Sequence, residues 1–279
     1  VDFVELQPQQ RQSFEEDGFL VVRNALDPDT VRQLTEAGDR LASAFLGKPT
    51  VLNRPEYNHL DQRPGLLQEP AMLALVANAP TVALAVQLLS PNIQLHSTAL
   101  IYKRPSPQAP VFRRGWHRDI RIPADLGHAA LPRVGVKICY CLTDFHKPAS
   151  GMTLLARSTH LRKEPLLLVK GKVDPEGVEV CDLSLNAGDA FIFENRLFHT
   201  AAPNTSDRTS KVLMYGYAYR WMKQEVYLEP PDDRRTVHDP VMRQLLGGYR
   251  DIDTPPWALQ RWAKKRGVLP KPVPWTVDA

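Results

Sequence analysis

The chain has 279 residues, 43% of them hydrophobic, with 35 basic and 31 acidic side chains and a formal charge of +4. That is enough apolar material for a substantial core, yet no run approaches the roughly 18 uncharged residues of a membrane-spanning helix. Charges so evenly scattered argue against nucleic acid or another polyanion as partner.

In chain order, QQRQSFEEDGFLVVRNAL reads as a short polar helix, a break at Gly18 and a strand from Phe19 to Val22. Asp27 then suits an N-cap and Pro28 a first helical turn, and Val31, Leu34, Ala37, Leu41 and Ala44 keep helical spacing until Gly47 and Pro49. A second helix is expected from Thr81 to Leu89. Short segments of β character follow: Ile93 to Tyr102, Val134 to Leu142, Met152 to Ala156, Val178 to Leu183, Ala190 to Phe193 and Val212 to Tyr219. The second alternates most clearly, with Val134, Val136, Ile138, Tyr140 and Leu142 on one face and Lys137, Cys139 and Cys141 on the other. Many short strands joined by loops rich in the chain's 25 prolines predict a sandwich or jelly roll. Helices are expected again over His238 to Leu246 and Pro256 to Lys265, before an extended tail. No linker divides the chain, so one domain is expected over 1–279: an N-terminal support to about residue 92, a core over about 93–222, and a C-terminal part. The start, VDFVELQPQQ, lacks the features of a signal peptide. Cys139, Cys141 and Cys181 are odd in number and lack Cys-x-x-Cys spacing, which fits a reducing, cytoplasmic setting better than disulfides or structural zinc.

The run GWHRDI carries His117 and Asp119, and NRLFHTAAPN carries His199. On a strand or strand end, residues two apart project to one side, so His117 and Asp119 can reach one ion while Arg118 turns away. Two imidazoles and one carboxylate form the facial triad of non-haem Fe(II), leaving positions open for a co-substrate and O2. Beyond His199 the turn AAPNTSD leads to Arg208. If the chain reverses there as a hairpin, Arg208 lies opposite or diagonal to His199, able to grip a carboxylate with its planar fork; the alternative is a surface ion pair with Asp207 or Glu194.

At this point the sequence resembles the phytanoyl-CoA dioxygenase family of Fe(II)/2-oxoglutarate oxygenases. The likeness runs over about residues 10–220, through FEEDGFLVVRNALDPDTVRQL, HSTALIYKRP, WHRDI, SGMTLLARSTH and LNAGDAFIFENRLFHTAAPN, to Arg208. The resemblance implies a double-stranded β-helix, a form of jelly roll, with helices packed outside. It implies iron on His117, Asp119 and His199, the C5 carboxylate of 2-oxoglutarate on Arg208, and a co-substrate contact from Lys103. The implied reaction couples decarboxylation of 2-oxoglutarate to succinate and CO2 with hydroxylation of an aliphatic C–H. Asp119 argues against halogenation, since related halogenases carry a small residue there.

Other residues have plainer readings. His160 is read as structural, Cys139 and Cys141 as packing, and Trp116 as a wall of the site. His59, His128, His146 and His238 have no partner pattern, whereas His96 lies on the strand leading to the iron motif. Arg113, Arg114, Arg118, Arg121 and Arg133 form either a solvated basic loop or a lure for an anionic substrate. The segment Leu46 to Pro70 and the tail are candidate lids. The expected function is hydroxylation of a small or medium-sized metabolite, with secondary metabolism as the expected setting. Desaturation, cyclisation, epimerisation or demethylation with the same cofactors, a non-catalytic jelly-roll binding protein, and a Zn(II) hydrolase are the alternatives.

Overall fold

The computed structural model describes residues 5–45, 59–106, 116–119, 132–146, 149–161, 168–169, 172–173, 178–225, 228–230, 237–249 and 257–267. The expectations placed on Gly47, Pro49, Arg113, Arg114, Arg121, His128 and the C-terminal tail lie outside these residues.

Helix α1 (Pro8–Asp17) ends at Gly18, whose φ of 87° favours a residue without Cβ. A Cβ there would also come within 2.7 Å of His160 Nδ1, so the glycine lets the chain turn tightly into β1 (Phe19–Val22). Asp27 caps α2 (Pro28–Phe45) as its sequence suggests, accepting from the Thr30 amide at 2.9 Å and the Thr30 hydroxyl at 2.7 Å. Leu34 and Ala37 on its inner face are completely buried. Strand β2 (His59–Gln62) and helix α3 (Pro70–Leu75) were not expected, because four and six residues are too short to display a period. Helix α4 (Ala79–Leu88) is buried on every side, as an all-round apolar helix must be.

The core strands are β3 (Ile93–Lys103), β4 (Gly135–Cys141), β5 (Thr153–Ala156), β6 (Leu168–Val169), β7 (Lys172–Val173), β8 (Val180–Cys181), β9 (Ala190–Glu194), β10 (His199–Ala201) and β11 (Ser210–Tyr219), followed by α5 (Pro240–Leu245) and α6 (Trp257–Lys265). Among the described residues they form an antiparallel six-stranded sheet ordered β1-β9-β4-β11-β3-β2, a three-stranded sheet β10-β5-β8, and the hairpin β6-β7. This is the expected jelly roll with flanking helices.

Period-two alternation divides the interior. Val136, Ile138 and Tyr140 of β4, with Leu213, Tyr215 and Tyr217 of β11, face the helices and share one core with Leu34, Leu84, Leu245 and Leu259. Tyr215 and Tyr217 donate to the carbonyls of Met72 and Val76 at 2.7 and 2.8 Å, fixing α3 to the sheet. Cys139, Cys141, Phe191, Phe193, Val212 and Met214 face inward and pack with Met152, Leu155 and Leu197 between the two sheets. The expected packing role of Cys139 and Cys141 fits this position. No helix among the described residues is long and apolar enough to cross a membrane.

Asp189, just before β9, is 1% exposed; its carboxylate accepts from the Asn24 amide (2.9 Å), the Asn186 amide (2.9 Å) and Arg23 Nη1 (2.7 Å). Burial pushes its pKa up, but these donors outweigh burial and hold it below the usual carboxylate value. The resulting stabilisation is therefore present above about pH 4 and is lost as pH falls through the depressed folded value. Asp189→Ala should destabilise by about 2–4 kcal/mol at neutral pH, with the gap to wild type closing in acid; parallel urea titrations across pH would read both.

Candidate metal centre and substrate cavity

His117 lies just outside the named strands, yet it forms an isolated bridge with His199 in which the two backbones exchange N–H···O bonds of 3.1 and 3.0 Å. Asp119, two residues on, comes to the same place. One ligand atom from each of His117, Asp119 and His199 lies within 4.8 Å of the others. His199 Nε2 is 3.5 Å from Asp119 Oδ1, and the two imidazole centroids are 4.3 Å apart. His199 Nδ1 stands 3.0 Å from the Leu197 carbonyl, which can only accept, so Nδ1 carries a proton and Nε2 is the nitrogen turned to the cluster.

Asp119 Oδ2 is buried and has no hydrogen-bond partner. An orphaned carboxylate oxygen beside two imidazoles is a donor set that fits a divalent ion, and three protein ligands leave an open face. Lys137 Nζ, on the inward face of β4, is 2.8 Å from Asp119 Oδ1. Burial would raise the Asp119 pKa, but Lys137 and then His199 overcome it and hold the carboxyl well below the ordinary value. The group is thus kept anionic and oriented. Phe193 closes the inner side, its ring 4.7 Å from that of His199.

The open side faces a cavity of about 210 Å³ whose lining includes Arg63, His96, Lys137, Asn195 and Glu225. His96 enters it through a β-bulge: Ser97 pairs with Gly216 and Leu95 with Tyr217, leaving His96 as the extra residue. Burial lowers the His96 pKa, against the opposing pull of Glu225. Arg63 is anchored by two hydrogen bonds, 2.9 and 3.0 Å, to buried Asp61. Gly216 keeps the floor low, since a Cβ there would strike Ser97 Oγ.

Arg118 turns away as expected, its guanidinium stacked on Phe198 at 4.4 Å and donating to the Thr159 carbonyl at 3.0 Å. Arg133 is a buttress rather than a lure, bound to Glu15 and Glu194. His160 is structural, with Nε2 2.8 Å from the Glu15 carbonyl.

Arg208 requires a correction. The expected hairpin does not form, because β10 pairs with β5 in the small sheet while β11 runs between β3 and β4 in the large one. The connection crosses between sheets, so His199 and Arg208 are not ladder partners. Arg208 is 56% exposed, 3.6 Å from Asp144, and does not line the cavity; the expected surface pairing occurs, but with a different acid. Lys103, by contrast, is buried, and its Nζ donates to the carbonyls of Gly151 (2.7 Å) and Ala202 (3.1 Å).

A model of the phytanoyl-CoA dioxygenase (PhyH) family matches residues 14–212. The chain belongs to the phytanoyl-CoA dioxygenase family. With membership goes the enzyme class, the 2-oxoglutarate-dependent non-haem iron enzymes. No curated protein matches it in sequence. Among solved structures it is similar to HygX from Streptomyces hygroscopicus, crystallised with nickel and 2-oxoglutarate (16% identity, TM-score 0.62, 79% of this chain and 90% of that one). It is also similar to the non-haem α-ketoglutarate-dependent carbocyclase SnoK of nogalamycin biosynthesis (17%, 0.61, 79% and 88%) and to AviO1 from Streptomyces viridochromogenes Tue57 (22%, 0.58, 77% and 96%). At these identities the likeness is one of fold.

Within this phytanoyl-CoA dioxygenase family member, sequence reading missed Lys137, Arg63 and Glu225. Lys137 left a signal: a lysine on the same strand face as two cysteines in an otherwise apolar strand needs an anionic partner inside. Arg63 and Glu225 left none, because β2 and the segment after β11 have no periodicity.

Proposed function

We propose that this chain holds Fe(II) on His117, Asp119 and His199 and uses 2-oxoglutarate and O2 to hydroxylate an aliphatic C–H of a small polar metabolite. Substrate, 2-oxoglutarate and O2 would give hydroxylated product, succinate and CO2. The observation that carries the reading is an oriented His-Asp-His cluster, with an orphaned carboxylate oxygen, opening onto a charged cavity. Iron, when bound, supplies the oxidising chemistry. The chain's own part is to fix the ligands, exclude water behind Phe193, and orient substrate against the open face. Lys137, Arg63, His96 and Glu225 favour a polar substrate, anionic where it meets the two cations, over an apolar chain. A reducing cytoplasmic setting suits the three free cysteines, and secondary metabolism is the setting of some of the structures it is similar to.

Anaerobic Fe(II) with 2-oxoglutarate should give a visible charge-transfer band, and a screen of polar metabolites should find one that stimulates succinate release. Iron-loaded protein without the band would sink the reading; turnover without O2 would favour hydrolysis instead. The second reading keeps the cofactors and changes the outcome, because the structures it is similar to include an epimerase and a carbocyclase. Product mass decides: a gain of one oxygen for hydroxylation, a loss of two hydrogens for desaturation or ring closure, no change for epimerisation.

A further inference from the structure

We infer that the substrate carries a protonated amine, and that Glu225 and His96 form the seat that takes it. The inference rests on the reading above that the cavity beside the triad is the substrate site.

Two cations of that lining come with their own acids. Lys137 Nζ stands 2.8 Å from Asp119, and Arg63 donates to Asp61 at 2.9 and 3.0 Å, while Arg118 is turned onto Phe198. Glu225 lines the same cavity half-buried, yet its carboxylate has no basic partner and no hydrogen bond among the described residues. Water solvates that charge while the cavity is empty. Once substrate expels the water, a neutral or wholly anionic molecule would leave the carboxylate stranded, whereas an ammonium answers it. With an anionic group toward the cations, the substrate is a zwitterion.

The seat is built in advance. The segment after β11 has no regular structure, but Gln94 Nε2 donates to the Met222 carbonyl at 2.9 Å, Gln224 Nε2 to the Leu95 carbonyl at 2.8 Å, and the Glu225 amide to the His96 carbonyl at 3.0 Å. These bonds lay the segment along β3 and hold Glu225 beside the bulged His96. Of the charged groups around the His96 ring, Glu225 acts on it most strongly, ahead of Lys137 and Asp119. Burial nevertheless outweighs that pull and lowers the His96 pKa, so the ring is neutral at pH 7 and keeps one bare nitrogen as an acceptor. A carboxylate and a bare imidazole nitrogen suit the three N–H donors of an ammonium.

Strand register sets how far this seat lies from the metal cluster. Lys137 of β4 pairs with Gly216 of β11, Gly216 pairs with Ser97 of β3, and His96 is the next residue. Lys137, Gly216 and Ser97 therefore form one row across the sheet, two strand spacings or roughly 10 Å long. Gly216 adds no side chain to the middle of that row. The amine and the oxidised carbon thus belong to opposite ends of the substrate.

The probe is methylammonium, titrated into the whole 279-residue chain loaded with Zn(II) in place of iron and with 2-oxoglutarate, while NMR follows the His96 ring. Potassium and tetramethylammonium are the controls, since they carry the charge without N–H donors. Methylammonium should shift the His96 signals saturably and bind at least about tenfold more tightly than either control. Glu225→Gln keeps the size and the backbone bond to His96 but removes the charge. It should weaken methylammonium at least about tenfold and leave 2-oxoglutarate affinity within about twofold. Equal shifts from all three cations, no saturation below about 200 mM, or an unchanged methylammonium affinity in the variant overturns the inference. So does a substrate without a basic nitrogen, identified by succinate release. Failure of the Zn(II)-loaded protein to bind 2-oxoglutarate overturns the co-substrate reading instead, because the methylammonium titration is judged against its own controls.

Discussion

Asp119→Ala is expected to lower metal affinity at least about 100-fold and to abolish the charge-transfer band and succinate formation, which is more than the 10- to 100-fold typical of groups one step removed from a metal. The carboxylate is the only anion of the triad, so the variant offers a dication two neutral imidazoles. It also exposes the ion to Lys137, whose ammonium stands 2.8 Å from Asp119 Oδ1 and loses its partner. Two unit charges about 5 Å apart repel by roughly 3 kcal/mol at an effective dielectric of about 20, and a dication doubles that. Removing one charge thus turns a neighbour that oriented the ligand into one that repels the metal. Metal analysis after dialysis, with an anaerobic 2-oxoglutarate titration, checks this; stoichiometric iron and a wild-type band in the variant would end the triad assignment. The His117–His199 backbone bridge is independent of the Asp119 side chain, so circular dichroism should remain that of wild type.

The triad was legible because its chemistry fixes residue types at a local spacing, with one distant histidine inside a motif. Strand β4 and helix α2 were legible for a related reason: alternation and capping are local, and tertiary packing agrees with them. Arg208 was misplaced because local information is ambiguous there. The turn PNTSD permits a hairpin, and the choice between a hairpin and a crossing is made by the pairing of Thr200 with Leu154, some 46 positions earlier in sequence. Three-residue β10 carries no pattern to announce that choice. The bulge that brings His96 into the cavity is likewise invisible, since a single unpaired residue changes register without changing composition.

Glu194→Ala should cost about 3–5 kcal/mol, lowering the melting temperature by roughly 6–15 °C in calorimetry. Glu194 ends β9 with no exposed surface, and accepts from Arg133 Nε at 2.6 Å and from Arg196 Nε and Nη2 at 2.5 and 2.9 Å. Both arginines are only 17% exposed, so alanine leaves two poorly solvated cations facing each other where one carboxylate had separated them. Arg133 keeps Glu15 of α1, but that acid is 47% exposed and so only weakly compensates. Buried charge makes the loss asymmetric: replacing all three together, Glu194→Leu with Arg133→Met and Arg196→Leu, should recover most of the lost stability, because the poorly solvated charges go together and Glu15, which loses Arg133, is 47% exposed and solvated by water. A melting point within about 2 °C of wild type for Glu194→Ala would mean that water reaches the pair. The consequence reaches the site, because the next residue, Asn195, accepts from the Val134 and Gly135 amides at 3.0 and 3.1 Å and lines the cavity beside Lys137. Loosening Glu194 therefore frees the start of the strand that aims Lys137 at Asp119, so the variant should lose metal affinity together with stability, whereas the triple replacement should regain both.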